Sequence, residues 1–215
     1  LRPNAWAVYD QTSNKRITFS ELDDLVKKIA NGLLGLGLEK GDRVSILSQN
    51  TIEFLALFFA CGRVGLVAHA LNWRLGLDEL TQIIENGQPK AIITQGQFSK
   101  ITHGLQKKIN FIDHWLEYGP DSNFSFETLI DKASSNEPIV TSIIGDEDPF
   151  FILYTGGTTG ISKGALHTHK SAYFGMLNQT VAERIVPSDV YMLTGQMFHI
   201  PVLLAMNYTS HGCPI

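Results

Sequence analysis

The chain has 215 residues, 44% of them hydrophobic and 18% charged, with a formal net charge of −4. That length can bury a sizeable core, and the mild acidity weighs against nucleic-acid binding, which rests on a basic face. Two cysteines, Cys61 and Cys213, do not make a disulfide framework and fit a reduced, cytosolic setting better.

No basic-then-apolar leader opens the chain. The longest apolar run, Phe54 to Ala68, is interrupted by Arg63 and is too short to span a bilayer comfortably, so no integral membrane segment is expected. The chain starts at Leu1 rather than Met and stops at Ile215, just after an expected turn at His211-Gly212. Both ends read as cut, and a fragment of a longer protein is expected.

In chain order, Trp6 to Tyr9 and Arg16 to Phe19 are short β-prone runs joined by a polar turn, which predicts a hairpin. Ser20, with Asp23 three residues on, is the expected cap of an amphipathic helix. Its apolar stripe is Leu22, Leu25, Ile29, Leu33 and Leu36, with Gly37 and Gly41 around its end. Arg43 to Ser48 is a β-branched strand, and Asn50 and Thr51 cap a helix from Ile52 to about Val64. That helix is apolar almost all round and is expected to be buried. Leu66 to Leu71 reads as a strand, Leu77 to Gly87 as a helix and Lys90 to Thr94 as a strand.

Strands alternating with helices over short loops predict an α/β fold, a mostly parallel sheet with helices on both faces. The middle is less regular, and Gly119 to Ser125 and Ala133 to Pro149 read as surface connections. Phe150 to Thr155 is then a buried strand, Gly164 to His169 a second strand, and Lys170 to Arg184 an amphipathic helix.

Between the last two strands lies "YTGGTTGISKG", Tyr154 to Gly164, with four glycines in eleven residues. It fails the phosphate-loop pattern G-x-x-x-x-G-K-[ST], because Lys163 follows no glycine and Gly164 stands where a hydroxyl residue belongs. Successive glycine N–H groups can nevertheless converge on one anion. The hydroxyls of Thr155, Thr158 and Thr159 and the cation of Lys163 complete an inventory suited to a polyphosphate.

This stretch resembles the signature loop of the adenylate-forming (AMP-binding) superfamily, which includes acyl-CoA synthetases, firefly luciferase and peptide-synthetase adenylation domains. Its pattern is Y-T-S-G-T-T-G-x-P-K-G. The chain matches at Tyr154, Thr155, Gly157, Thr158, Thr159, Gly160, Lys163 and Gly164, and departs at Gly156 and Ser162. The resemblance covers nearly the whole chain. Ile17 to Leu22 is similar to an early L-T-Y-x-E-L element and Gly41 to Leu75 to the second conserved region; Met197 to Ile200 resembles P-M-F-H, with Gln196 in place of proline.

The resemblance implies a reaction. A carboxylate attacks the α-phosphorus of ATP to give acyl-adenylate and pyrophosphate, and CoA then displaces AMP. It implies ATP and Mg²⁺, with CoA as co-substrate, and only small-molecule substrates as partners; a homodimer is left as an option. Thr155, Gly156, Gly157, Thr158, Thr159, Gly160 and Lys163 are the implied nucleotide-binding residues. Lys163 is also the implied catalytic residue, and Thr155 matches a position that helps hold Mg²⁺. His199 follows Phe198, as in the acyl- and aryl-CoA branches, near the implied wall of the acid pocket; amino-acid-activating members place an aspartate there to pair with an ammonium. A medium- or long-chain fatty acid is the expected substrate.

In this reading residues 1–215 are the N-terminal part of the large adenylating domain. The family's magnesium-holding glutamate, ribose-binding aspartate and C-terminal lysine are then expected beyond Ile215, and the chain alone is expected to be inactive. The alternatives are a non-catalytic nucleotide-binding or interaction module and another adenylating enzyme, aryl-CoA ligase or luciferase-like. His167 and His169 alternate as a metal pair would, but no further ligand lies close in sequence. Asp146, Glu147 and Asp148 read as a solvated linker. Neither G-x-S-x-G nor G-x-G-x-x-G occurs.

Overall fold

The computed structural model describes residues 2–155 and 162–215. The chain opens with an antiparallel hairpin, β1 (Trp6–Asp10) and β2 (Lys15–Thr18), as its turn residues predict. Helix α1 (Phe19–Gly35) follows directly. Its cap is Thr18 rather than Ser20. The Thr18 hydroxyl accepts from the Glu21 N–H while the Glu21 carboxylate accepts from the Thr18 N–H, a full capping box in place of the expected Ser20–Asp23 pair.

Among the described residues, six strands build the main sheet in the order β6-β5-β3-β4-β7-β8. They are β3 (Arg43–Leu47), β4 (Val67–Leu71), β5 (Ala91–Gln95), β6 (His114–Tyr118), β7 (Pro149–Thr155) and β8 (Lys163–Thr168). Every pairing is parallel except that of β7 with β8. Side-chain alternation divides the sheet into two cores. Val44, Ile46, Ala68, Ile93 and Phe151 face α1, α2 (Ile52–Val64) and α5 (Ser125–Lys132). Leu47, Leu71 and Ile92 face α3 (Leu77–Gly87) and α4 (Ser99–Lys108). A sheet covered on both faces explains the wholly buried β4 and the apolar α2. The predicted mostly parallel α/β architecture with helices on both faces is the observed one.

The last two helices, α6 (His169–Glu183) and α7 (Pro201–Ser210), pack on the α1–α2 side through Ala172, Val202, Ala205 and Met206. Four elements have no counterpart in the sequence reading: α4, β6, α5 and α7. Helix α4 buries only Thr102 and Leu105, β6 carries His114 and Glu117 among its five residues, and α5 lacks a side-chain cap. Tertiary contact rather than local pattern selects them.

The stretch expected as a surface connection, Ala133 to Pro149, is one, but it is pinned. Arg63 donates to both Glu137 oxygens at 2.8 Å and to Asp23 at 2.7 Å; Lys40 donates to the Ile143 carbonyl at 2.7 Å and pairs with Asp148 at 2.6 Å. Lys170 reaches Glu147 at 2.8 Å. No helix among the described residues is long and apolar enough to cross a membrane.

Candidate functional site

In an open parallel sheet, ligands bind beyond the carboxyl ends of the strands, where loops from neighbouring strands converge. Here β3 leads to Ser48–Thr51, β4 to Asn72–Arg74, and β7 to the glycine-rich stretch. Because β4 lies between β3 and β7, these loops emerge side by side.

Strands do flank the glycine-rich stretch on both sides. In the β7–β8 ladder Thr155 stands opposite Lys163 and Tyr154 opposite Gly164. Lys163 opens β8 and its side chain is exposed. The predicted phosphate-binding residues Gly156, Gly157, Thr158, Thr159 and Gly160, and the Thr155 side chain with its predicted metal role, lie outside the described residues.

The motif's first residue has a defined job. The Tyr154 phenol donates to Asn86 Oδ1 at 2.5 Å, and its ring lies against His69 with centroids 5.3 Å apart. A Cβ on Gly164 would fall 2.9 Å from Tyr154 Cζ and 3.0 Å from Ile152 Cγ2, closer than side chains tolerate. Gly164 is therefore glycine because the Tyr154 ring covers it. Partial burial raises the Tyr154 phenol above its ordinary pKa.

His69 itself is fully buried. Its Nδ1 is 2.8 Å from Ser45 Oγ, and its buried Nε2 has no partner among the described residues. Burial, aided by the Arg43 charge, pushes it down to about 3, so the ring is neutral. Gly87 packs on this ring so closely that a Cβ there would lie 2.5 Å from His69 Cε1.

The predicted substrate residue His199 lies in the turn before α7, exposed, with Nδ1 accepting from the Ile200 N–H at 2.8 Å. Its segment is clamped to the carboxyl ends of β3 and β4. Asn50 Nδ2 donates to the Gly195 carbonyl at 2.7 Å, and Asn50 Oδ1 accepts from the Met197 N–H at 2.8 Å. The Trp73 indole N–H donates to Gln196 Oε1 at 3.0 Å, and the Trp73 ring meets Phe198 edge-on, centroids 6.5 Å apart. Arg74 lies over both rings, 5.1 Å from Trp73 and 6.0 Å from Phe198.

The topology thus brings Lys163 and the segment of His199 to one edge of the sheet. Sequence reading missed the roles of Asn50, Trp73 and Tyr154. Asn50 read as part of a helix cap, yet Thr51 alone caps α2 and Asn50 reaches across the site. The departure of Gln196 from the family pattern was the available signal for Trp73, since a glutamine supplies the acceptor that proline lacks.

His167 and His169 do not form a metal pair. His167 stacks on Phe151 at 4.5 Å from β8, whereas His169 begins α6 and stacks on Phe150 at 4.8 Å. Burial lowers both imidazoles. Among the described residues no group of three or more His, Cys, Asp or Glu could hold a metal.

Comparison with known proteins agrees with this geometry. The family model described as "AMP-binding enzyme" matches residues 1–214. Long-chain-fatty-acid–CoA ligase FadD13 of Mycobacterium tuberculosis is 28% identical over 213 residues, 98% of this chain and 41% of its own length. 4-Coumarate–CoA ligase 3 of Arabidopsis thaliana is 30% identical over 88% of this chain and 34% of its own. Among solved structures, the inhibitor-bound N-terminal domain of FACL13 from M. tuberculosis superposes with a TM-score of 0.86 at 27% identity, covering 98% of this chain and 52% of that one. This chain therefore spans about half or less of the proteins it matches. The fold, the strand–loop–strand unit and the family match together show that the chain belongs to the AMP-binding enzyme family, with CoA ligases as its relatives.

Proposed function

We propose that this chain is the N-terminal part of the large adenylating domain of an ATP- and Mg²⁺-dependent acid–CoA ligase whose acid is a medium- or long-chain fatty acid. The observation that carries the reading is the hairpin at the carboxyl edge of the sheet, which sets Lys163 opposite Thr155 at the mouth of a glycine-rich loop. Residues 156–160 supply N–H donors to the β- and γ-phosphates. Lys163 neutralises charge that builds on the departing pyrophosphate, and Thr155 helps hold Mg²⁺. His199 lies at the acid pocket, its segment fixed by Asn50 and Trp73.

The domain assignment has support in α6. Tyr173, Phe174, Leu177 and Val181 leave an apolar stripe exposed along it, a surface that further chain of the same domain would cover. The chain alone is then inactive, because the remaining nucleotide contacts belong to that further chain. Two buried free thiols, Cys61 and Cys213, agree with a reducing, cytoplasmic setting.

A second reading, an aryl acid as substrate, is favoured by the aromatic faces of Trp73 and Phe198 beside His199. CoA-thioester formation by a protein of full family length, with fatty and hydroxycinnamic acids as competing panels, separates the two. The highest kcat/KM with a fatty acid of eight carbons or more is the expected result. A preference for aromatic acids would overturn the choice of substrate but not the reaction.

A further inference from the structure

The backbone ladder between β7 and β4 runs only through Ala68 with Phe151 and His69 with Ile152. Beyond Ile152, β7 continues for three residues that, among the described residues, pair with β8 alone. Lys163 is therefore carried at the tip of a two-stranded ribbon, an arrangement that is marginally stable without further contacts. On one face Leu153 buries into the core. On the other, Tyr154 reaches back over the sheet. Its ring lies across Gly164 and against His69, and its phenol meets Asn86 in the last turn of α3.

That turn is a firm anchor. Arg43 donates to the carbonyls of Gly87 at 3.0 Å and Gln88 at 2.5 Å, taking up acceptors left open at the helix end. Gly87 lies against His69, which is itself hydrogen-bonded to Ser45 on β3. A continuous chain of contacts runs from β3 through His69 and α3 to Tyr154, two residues before the loop's first glycine.

We infer that Tyr154 is a positioning residue for Lys163, and that the Tyr154–Asn86 hydrogen bond sets where the ribbon tip presents that cation to phosphate. The inference rests on the phosphate-holding reading of the loop. It assigns the aromatic at the head of the motif a mechanical task and makes Asn86, 68 residues away in sequence, its partner. Losing the bond should loosen ATP while sparing the acid, whose pocket is held by Asn50 and Trp73 instead.

The test uses Tyr154→Phe, which keeps the ring over Gly164, Asn86→Ala, and the double variant, in a protein of full family length. The expected result is a KM for ATP raised about three- to tenfold, the range of one hydrogen bond. The KM for the acid and the melting temperature should stay unchanged, and the double variant should be no worse than either single one. Trypsin cleavage after Lys163 should also speed up in Tyr154→Phe without ATP present. An unchanged KM for ATP in an active protein, strictly additive singles, or equal losses for ATP and acid with a lowered melting temperature would overturn the inference. A wild-type protein without ATP-dependent activity would overturn the reading of the loop; the cleavage rate would then decide on the tether by itself.

Discussion

The ring of Tyr154 occupies the place that a side chain at Gly164 would need. The two residues face each other across the β7–β8 ladder, and a Cβ at Gly164 would stand 2.9 Å from Tyr154 Cζ. The glycine that closes the signature motif is thus explained by the tyrosine that opens it. Gly164→Ala should destabilise the chain by about 1–3 kcal/mol, the usual penalty for overpacking. Urea unfolding of the single variant and of Gly164→Ala with Tyr154→Ala checks this. The double variant should show a coupling of opposite sign, since the second change removes the clash; additive losses would contradict the packing account.

His69 makes stability depend on acid. Its folded pKa, about 3, lies below the value of about 6.5 expected of an unfolded histidine. The unfolded chain therefore takes up the proton first, and stability present above about pH 6.5 is lost as pH falls towards 3. The loss from this group is at most about 1.4 kcal/mol per pH unit across that window. Unfolding free energies measured from pH 7 to pH 4 should fall more steeply in the wild type than in His69→Gln, by close to one proton. Equal slopes would show that His69 is hydrated or charged in the folded chain.

Asn50 holds the His199 segment by both ends of its amide, donating to Gly195 and accepting from Met197. Asn50→Ala leaves that carbonyl and N–H without these partners. A loss of about 1–3 kcal/mol in stability is expected, with a rise in KM for the acid and little change in KM for ATP. Asn50→Asp keeps the acceptor for Met197 but loses the donor to Gly195, so it should recover part of the loss. Steady-state kinetics on the full-length protein would show the split. An effect confined to ATP would place this segment elsewhere in the mechanism.

Lys163 is the one cation of the motif, and its exposed side chain opens β8 beside the loop. Lys163→Ala should weaken ATP binding by about tenfold or more, as expected for a charge-assisted contact to phosphate. The melting temperature without nucleotide should not move, because the side chain has no partner to lose among the described residues. Titration with a fluorescent ATP analogue, followed with salt, measures both the affinity and its electrostatic share. ATP binding that survives the substitution would undo the proposed role.

Much of this fold is legible in the sequence because local signals and burial agree. Ile52 to Val64 and Leu77 to Gly87 are helices with the bounds their apolar patterns set, and β3, β4, β5 and β7 fall within a residue or so of their β-branched or apolar runs. The middle is less legible because its elements are only half apolar. Helix α4 and strand β6 carry Lys107, Lys108 and Glu117, and are selected by contacts with α3 and β5. The site was legible as a motif but not as a geometry. Glycine content and Lys163 point to phosphate, whereas the reach of Tyr154 to Asn86 spans 68 residues and leaves no trace in local spacing. Likewise the Asn50–Met197 contact links positions 147 apart.

The most direct test of the central claim is acid-dependent exchange of labelled pyrophosphate into ATP. The account predicts exchange by a protein of full family length when a fatty acid is supplied, its loss in Lys163→Ala, and none by residues 1–215 alone. No acid-dependent exchange by the full-length protein with any carboxylic acid would contradict the assignment as an adenylating ligase.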